Sequence, residues 1–255
     1  MCGRYLRRSD KQRIAETFQV AKGLADLVLP PWDYNVAPTS FQPVIRADHE
    51  TGEREITLMR WGLIPYFAKD LKKFSYSTIN ARAESLTTSA IFRGSLERRR
   101  CLVPADGFYE WKKAQAPPPA QISLLPDGDI EPEKAGVIKQ PYAFTMANQE
   151  AFAFAGLWDR WKGSAGQVLE SFTIITTTPN ALTSTVHDRM PVILPRADYD
   201  FWLSRSPGEP RPDAPIKPEL LAVLRPYPAG QMAVCEAHIG VGNVRNNHPG
   251  LLNSA

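Results

Sequence analysis

Proline placement is the feature of this sequence that most restricts its fold. Of the 23 prolines, six fall in residues 114–141 and five in residues 204–218. Proline lacks a backbone N–H and fixes φ, so proline-dense stretches form neither central strands nor helix interiors. We therefore expect two surface insertions in a single domain spanning residues 1–255. A boundary between two domains near residue 130 is the alternative, but motifs with chemical character lie on both sides of it.

Short apolar and aromatic runs, bounded by turn residues, make up most of the remaining chain. Such runs predict strands rather than helices. The predicted strands cover residues 55–61, 107–112, 142–146, 152–157, 172–177, 191–194 and 232–235.

Helices are fewer in the predicted order. Ser9 and Gln12 form a capping box ahead of Ile14, and Thr178 followed by Pro179 is typical of a helix start. Further helices are predicted in residues 84–97, 198–203 and 218–224. Because strands and helices do not alternate regularly, we predict an α+β domain. Its sheet should be largely antiparallel and barrel-like, with a few peripheral helices.

Composition narrows the functional classes. No apolar run approaches the roughly 20 residues needed to cross a bilayer, and the first residues carry no signal-like stretch, so a cytoplasmic location is the default expectation. The three cysteines argue against a disulfide framework. With no Cys-x-x-Cys pair and four histidines, neither a metal nor another cofactor is expected.

Basic residues are clustered although the net charge is only +3. If the clusters converge in space they would neutralise several phosphates. Scattered solvated charges explain the pattern equally well. The clusters are Arg4, Arg7, Arg8, Lys11 and Arg13; Lys69, Lys72 and Lys73; and Arg98, Arg99 and Arg100.

Cys2 offers unusual chemistry if Met1 is removed, because the chain then begins with an α-amine and a thiol on adjacent carbons. The amine can form a Schiff base with an aldehyde, and the thiol can close a five-membered thiazolidine on the same carbon. The amine has a reference pKa near 7.8, against about 10.4 for lysine, so a larger fraction is nucleophilic at neutral pH. From position alone, an incidental cysteine beside the start is the more economical interpretation.

Four later segments carry further candidate groups. Asn80 and Arg82 lie where a polar turn joins a predicted helix, a place suited to an anion. Glu110 lies in an aromatic strand, where partial burial would raise its pKa, and His187 precedes another strand. The fourth segment, residues 241–246, closes over a site or merely ends the fold. An ordinary connection, a solvent-facing carboxylate and a structural histidine are the simpler alternatives for the first three.

Seven motifs nevertheless follow one another in the order of a known family, the SOS-response-associated peptidase (SRAP) family, which the chain resembles over nearly its whole length. They are Met-Cys-Gly-Arg-Tyr at 1–5, Asn-Val-Ala-Pro at 35–38, Trp-Gly-Leu-Ile-Pro at 61–65, Ile-Asn-Ala-Arg-Ala-Glu at 79–84, Gly-Phe-Tyr-Glu-Trp at 107–111, His-Asp-Arg-Met-Pro at 187–191 and Val-Gly-Asn-Val-Arg-Asn at 241–246.

The resemblance implies a sensor of abasic sites in single-stranded DNA that forms a covalent thiazolidine crosslink after Met1 removal. Cys2 would be the nucleophile, through its amine and thiol together. Asn80 would position the amine and the sugar, Glu110 would shuttle protons, and His187 would assist opening of the sugar ring. Lyase activity at abasic sites and self-processing peptidase activity are also implied.

For DNA binding, the resemblance implies phosphate contacts by Arg4, Arg82 and Arg189. Trp61 would shape the pocket or stack on a base, and residues 65–74 would contact unpaired bases, with the base-wedging residue unassigned. The expected partner is single-stranded DNA with abasic sites, and we expect it to be bound by a monomer without membrane or metal, in the cytoplasm or at a bacterial nucleoid. An N-terminal-nucleophile cysteine amidase or protease and a non-covalent single-stranded DNA-binding module are the competing functions.

Overall fold

The computed structural model describes residues 2–29, 32–69, 71, 78–115, 137–204 and 216–253. Within these ranges the chain forms thirteen strands and four α-helices. The helices are α1 (Lys11–Phe18), α2 (Arg93–Arg98), α3 (Tyr199–Leu203) and α4 (Pro218–Ala222). The strands are β1 (Arg4–Arg7), β2 (Asp33–Val36), β3 (Phe41–Ala47), β4 (Arg54–Trp61), β5 (Asn80–Arg82), β6 (Arg100–Ala105), β7 (Gly107–Gln115), β8 (Val137–Met146), β9 (Phe152–Lys162), β10 (Val168–Thr177), β11 (Met190–Pro191), β12 (Ile193–Leu194) and β13 (Met232–Glu236).

Five strands close into a barrel in the order β10-β4-β3-β6-β9, and β9 pairs back onto β10 to complete the ring. The short strands β5, β11 and β12 extend it at its margins. Strand β10 runs parallel to β4 and β5, whereas the other strand pairs of the described chain are antiparallel. The predicted α+β class with a largely antiparallel, barrel-like sheet is therefore confirmed.

A second sheet, in the order β13-β8-β7-β1-β2, covers the barrel. The two layers share an aromatic core: the ring of Tyr5 on β1 lies 5.2 Å from that of Trp61 and 5.8 Å from that of Phe154, centroid to centroid. Edge-to-face pairs at this spacing are favourable beyond the area they bury. This packing holds β1 against the barrel, and Cys2, two residues before β1, is part of the same core.

The helices cover a different part of the barrel. Ile14 and Phe18 of α1, Trp202 of α3 and Leu220 of α4 all belong to a separate apolar cluster. Arg54 donates a hydrogen bond to the carbonyl of Phe18, tying α1 to β4. No helix of the described residues is both long and apolar enough to span a bilayer.

Six of the seven predicted strands are confirmed, and the seventh, predicted at 191–194, forms two short strands instead, β11 and β12. Five other strands were not predicted. Strand β6 is buried along its whole length, but its sequence begins at Arg100 and contains Pro104, which interrupt an apolar run. Strand β1 carries Arg7, which is fully buried and donates to the carbonyl of Ser9. Strand β5 has only three residues. The remaining unpredicted strands are β2 and β3.

Three helix predictions are wrong in detail. Asp10, not Ser9, caps α1 by accepting from the Arg13 amide, because Ser9 is occupied by Asp106, to which its amide and hydroxyl both donate. No long helix follows Pro179; a single 3-10 turn spans Thr183–Thr185. Residues 84–97 contain only a 3-10 turn and α2.

The surface insertion predicted for residues 114–141 is shorter than expected, because strands extend into both of its ends. Strand β7 continues to Gln115 and β8 begins at Val137, so only residues 116–136 remain outside the described strands. Pro141 lies within β8, one residue before Tyr142, where the pairing of β8 with β13 ends. The carbonyl of Pro141 accepts a hydrogen bond from the Ala237 amide. Residues 205–215 of the second stretch also lie outside the described residues, and Pro218 begins α4.

Candidate active site

Cys2 lies at the centre of the candidate site. Strand β1 pairs with β7 so that Arg4 lies opposite Tyr109, which directs the preceding residues toward Glu110. The Cys2 side chain is fully buried, and its thiol donates to the carbonyl of Arg4 at 3.7 Å. Burial raises the pKa of this thiol, and the Glu110 carboxylate raises it further. The thiol is therefore neutral at physiological pH.

Asn80 fixes the backbone of Cys2. Its strand β5 is held in register by β10, where Asn80 lies opposite Ile174. The amide Nδ2 donates to the carbonyl oxygen of Cys2 at 2.8 Å. Its Oδ1 is buried without a hydrogen-bond partner among the described residues, so this oxygen remains available to accept a donor placed beside Cys2.

Glu110 is a buried acid. It lies on β7 between Tyr109 and Trp111 and is only 2% exposed. Burial raises the pKa of its carboxyl to about 7, because loss of water disfavours the charged form. The expected partial burial is confirmed and the solvent-facing alternative is wrong. A carboxyl with this pKa exchanges protons readily near neutral pH.

His187 faces Glu110, with its Nε2 3.8 Å from Glu110 Oε2. The amide of Arg189 donates to His187 Nδ1 at 3.0 Å, and the Asp188 carboxylate lies 2.9 Å from the same nitrogen. The Arg189 bond requires a lone pair on Nδ1, whereas the Asp188 contact requires a proton there. Burial lowers the pKa of the imidazole, although Asp188 opposes this. We therefore assign the neutral ring with its proton on Nε2, directed toward Glu110.

The three candidate phosphate-binding arginines differ in their surroundings. Arg82, at the end of β5, is exposed. Arg4 is half-buried and donates to the carbonyl of Gly3 at 2.9 Å. Arg189 already binds both carboxylate oxygens of Glu84, at 2.7 and 3.0 Å, and the carbonyl of Thr176. A phosphate that reaches Arg189 must compete with Glu84.

The aromatic candidates divide into one buried residue and one exposed pair. Trp61 is fully buried and donates its indole N–H to the carbonyl of Ile79, so it shapes the core behind the site and presents no open face for a base here. Gly62, with φ of 110°, turns the chain away from β4. Tyr66 and Phe67 follow, exposed and in edge-to-face contact at 5.3 Å.

A comparison with family models identifies the family of the chain. The model described as SOS response associated peptidase (SRAP) matches residues 1–244. The chain belongs to the SRAP family. A curated SRAP relative, abasic site processing protein YoqW of Bacillus subtilis, is 36% identical, with all of both chains covered. Abasic site processing protein HMCES of Xenopus tropicalis is 31% identical over 85% of this chain and 64% of its own length.

Solved structures agree with the fold of this SRAP chain. A crystal structure of a Bacteroides thetaiotaomicron protein superposes with a TM-score of 0.79 at 24% identity, covering all of both chains. One from Bordetella bronchiseptica gives a TM-score of 0.70 at 26% identity, covering 93% of this chain and all of that one.

The structure also bears on other features considered from the sequence of this SRAP chain. The described residues contain no group of three or more His, Cys, Asp or Glu side chains that could hold a metal ion. The segment at 241–246 is held by Asn35, whose amide nitrogen donates to the carbonyls of Val241, Asn243 and Asn246. Lys72 and Lys73 of the second basic cluster lie outside the described residues. The sequence patterns did not identify Asn180, whose side chain hydrogen-bonds to the segment before His187.

Proposed function

We propose that this protein senses abasic sites in single-stranded DNA and crosslinks itself to them through Cys2 after removal of Met1. The observation that carries the proposal is the convergence on Cys2: Asn80 holds its carbonyl, and Glu110, with a pKa of about 7, raises the pKa of its thiol. His187 faces that acid. The relatives named abasic site processing proteins support the same conclusion.

The chemistry follows from the pair of nucleophiles that Cys2 would carry at the chain start. At pH 7 the neutral fraction of an α-amine exceeds that of a lysine by roughly 300-fold. The thiol is protonated in its buried setting, so we propose that the amine attacks first. Its attack on the aldehyde carbon of the ring-opened sugar gives a carbinolamine.

Glu110 would then serve as both acid and base. Its carboxyl donates a proton to the carbinolamine hydroxyl, water leaves, and a protonated imine forms. The thiol then loses its proton to the Glu110 carboxylate while sulfur bonds to the imine carbon and the C=N electron pair moves to nitrogen. The products are a thiazolidine and one water, and Glu110 regains its proton. His187, neutral at physiological pH, would exchange a proton with the sugar oxygen as the ring opens.

DNA binding in this proposal is electrostatic and indifferent to base sequence. The exposed Arg82, together with Arg4, would contact phosphates on either side of the lesion, and Arg189 would do so by exchanging Glu84 for a phosphate. The exposed rings of Tyr66 and Phe67 offer faces on which unpaired bases can stack. The protein would act as a monomer in the cytoplasm or at a nucleoid.

Two subsidiary activities fit the same intermediate and the same chain start. A protonated imine acidifies the neighbouring carbon, so loss of that proton with departure of the 3′ phosphate would cleave the strand, a lyase reaction. Peptidase activity would correspond to removal of the residue ahead of Cys2. Both would compete with, or precede, closure of the thiazolidine.

Intact mass spectrometry tests the proposed function. The protein is incubated with three oligonucleotides of one sequence: one with an abasic site, one with its non-aldehydic tetrahydrofuran analogue, and one undamaged. We expect a denaturation-resistant adduct, lighter than the sum of its components by one water, with the first only. Binding to all three without an adduct would favour a non-covalent module, and turnover of an amide substrate without an adduct would favour a hydrolase.

A further inference from the structure

Asn180 closes the segment between β10 and β11 that carries His187. Its side-chain oxygen accepts from the amides of Leu182 and Thr183, at 3.0 and 2.8 Å, and from the Thr183 hydroxyl at 2.9 Å. On the other side, its amide nitrogen donates to the carbonyl of Tyr227 at 2.7 Å and to the sulfur of Met232 at 3.3 Å. Because donors face the oxygen and acceptors face the nitrogen, the amide has one orientation that satisfies all of these partners.

Thr183 passes this constraint on to His187. The carbonyl of Thr183 accepts from the His187 amide at 2.9 Å and from the Val186 amide at 3.0 Å. Thr183 is fully buried, and its hydroxyl also accepts from the backbone amide of Asn180 at 3.1 Å. One continuous path of hydrogen bonds therefore runs from the Asn180 side chain through Thr183 to the backbone of His187.

Asn180 also links the two ends of the segment between β10 and β11. The backbone amide of Asn180 lies 3.3 Å from the sulfur of Met190, and Met190 pairs with Thr177 where β11 joins β10. The Nδ1 atom of the imidazole is oriented from within this segment, by the Arg189 amide and the Asp188 carboxylate. The position of the ring therefore depends on the shape of the segment.

We propose that Asn180 is a positioning residue for the crosslinking reaction, acting through His187. Asn180 is not one of the groups proposed to contact the sugar. The inference rests on the proposed function, because it is tested by the rate of adduct formation. Loss of the amide frees residues 180–186 from Tyr227 and from the Thr183 turn. The His187 ring then no longer holds its Nε2 toward Glu110, while Cys2, Asn80 and Glu110 keep their own supports.

A double-mutant cycle tests this proposal. Crosslinking rates at saturating protein are measured for wild type, Asn180→Ala, His187→Ala and the double variant, with affinity measured on the tetrahydrofuran oligonucleotide. We expect Asn180→Ala to slow crosslinking by about tenfold, part of the roughly 10²–10⁴-fold that a positioned acid–base group contributes. The affinity should stay unchanged, and the double variant should be no slower than His187→Ala.

Two further variants separate positioning from loss of stability. Asp10→Ala removes the cap of α1, whose buried residues belong to the other apolar cluster, and it should keep the wild-type rate. Thr183→Val, which keeps the shape but removes the hydroxyl, replaces Asn180→Ala if that variant does not fold. The proposal is overturned if Asn180→Ala slows crosslinking by the same factor in wild type and in the His187→Ala background. A wild-type crosslinking rate for Asn180→Ala or for His187→Ala also overturns it. Absence of any wild-type adduct would instead reject the proposed function.

Discussion

Glu110 and His187 face each other across 3.8 Å, from Oε2 to Nε2. Burial moves the pKa of both toward the neutral form: that of the acid rises to about 7 and that of the imidazole falls. The pair thus places a protonatable acid beside a neutral imidazole whose Nε2–H faces it, at the pH where an α-amine begins to lose its proton. A site built in this way can donate a proton and recover it without a bulk change in charge.

Replacing Glu110 tests the proton-transfer role. Glu110→Gln keeps the shape and the hydrogen-bonding ability but removes the transferable proton. We expect crosslinking to slow by at least about tenfold, below the usual 10²–10⁴-fold range to allow for rescue by His187 or water. Single-turnover adduct formation measures the rate, and the tetrahydrofuran oligonucleotide should bind nearly as well as before. A wild-type rate would exclude Glu110 as the shuttle.

The same substitution should change how stability depends on pH. The Glu110 pKa is raised from 4.5 to about 7 on folding, so between these values the folded state binds more protons than the unfolded state. Stability therefore falls as pH rises through this window. Glu110→Gln should escape that loss, gaining roughly 3 kcal/mol over wild type above pH 7 and little below pH 4.5. Denaturant unfolding across this range measures the difference; a gain independent of pH would contradict the assignment.

Replacing the Cys2 thiol should change the kind of adduct. Cys2→Ser keeps the α-amine but closes the ring poorly, so we expect a reversible imine that borohydride traps. The wild-type adduct should persist without reductant, because the thiazolidine is closed by sulfur. Cys235→Ser provides the matched control, since Cys235 is exposed on β13, and its adduct should match that of wild type. Equal stability of the Cys2→Ser and wild-type adducts would remove the thiol from the chemistry.

Retention of Met1 should abolish crosslinking. With Met1 in place the Cys2 nitrogen is part of a peptide bond, and an amide nitrogen does not form an imine. We expect active preparations to begin at Cys2 by N-terminal sequencing. Treating an unprocessed preparation with a methionine aminopeptidase should restore adduct formation. An active preparation that still begins with Met1 would contradict the mechanism.

The phosphate contacts should appear in the salt dependence of binding. Arg82→Ala should weaken binding of single-stranded DNA and reduce the slope of log K against log salt by about 0.7, the value expected for one phosphate on a single strand. Arg225→Ala is the matched control, an exposed arginine that follows α4 and belongs to none of the basic clusters. We expect a smaller change for Arg189→Ala, because Glu84 already neutralises that guanidinium. An unchanged slope for Arg82→Ala would place it away from the backbone.

The sequence by itself determined the class of fold and the identity of the main candidate groups. Short apolar and aromatic runs bounded by turn residues located seven strand segments. The ordered motifs pointed to Cys2, Asn80, Glu110 and His187. Each of these side chains is of a type whose chemistry can be stated without coordinates.

Only the tertiary structure decided how those groups act on one another. Strand β6 contains Arg100 and Pro104 and β5 spans three residues, so neither forms a recognisable apolar run. Yet β5 brings Asn80 to Cys2, 78 positions away in sequence. The raised pKa of Glu110 and the exclusion of Trp61 from solvent depend on burial between two sheets. The hold of Asn180 on the His187 segment depends on Tyr227 and Met232. These are long-range contacts, and a local pattern of residue types does not contain them.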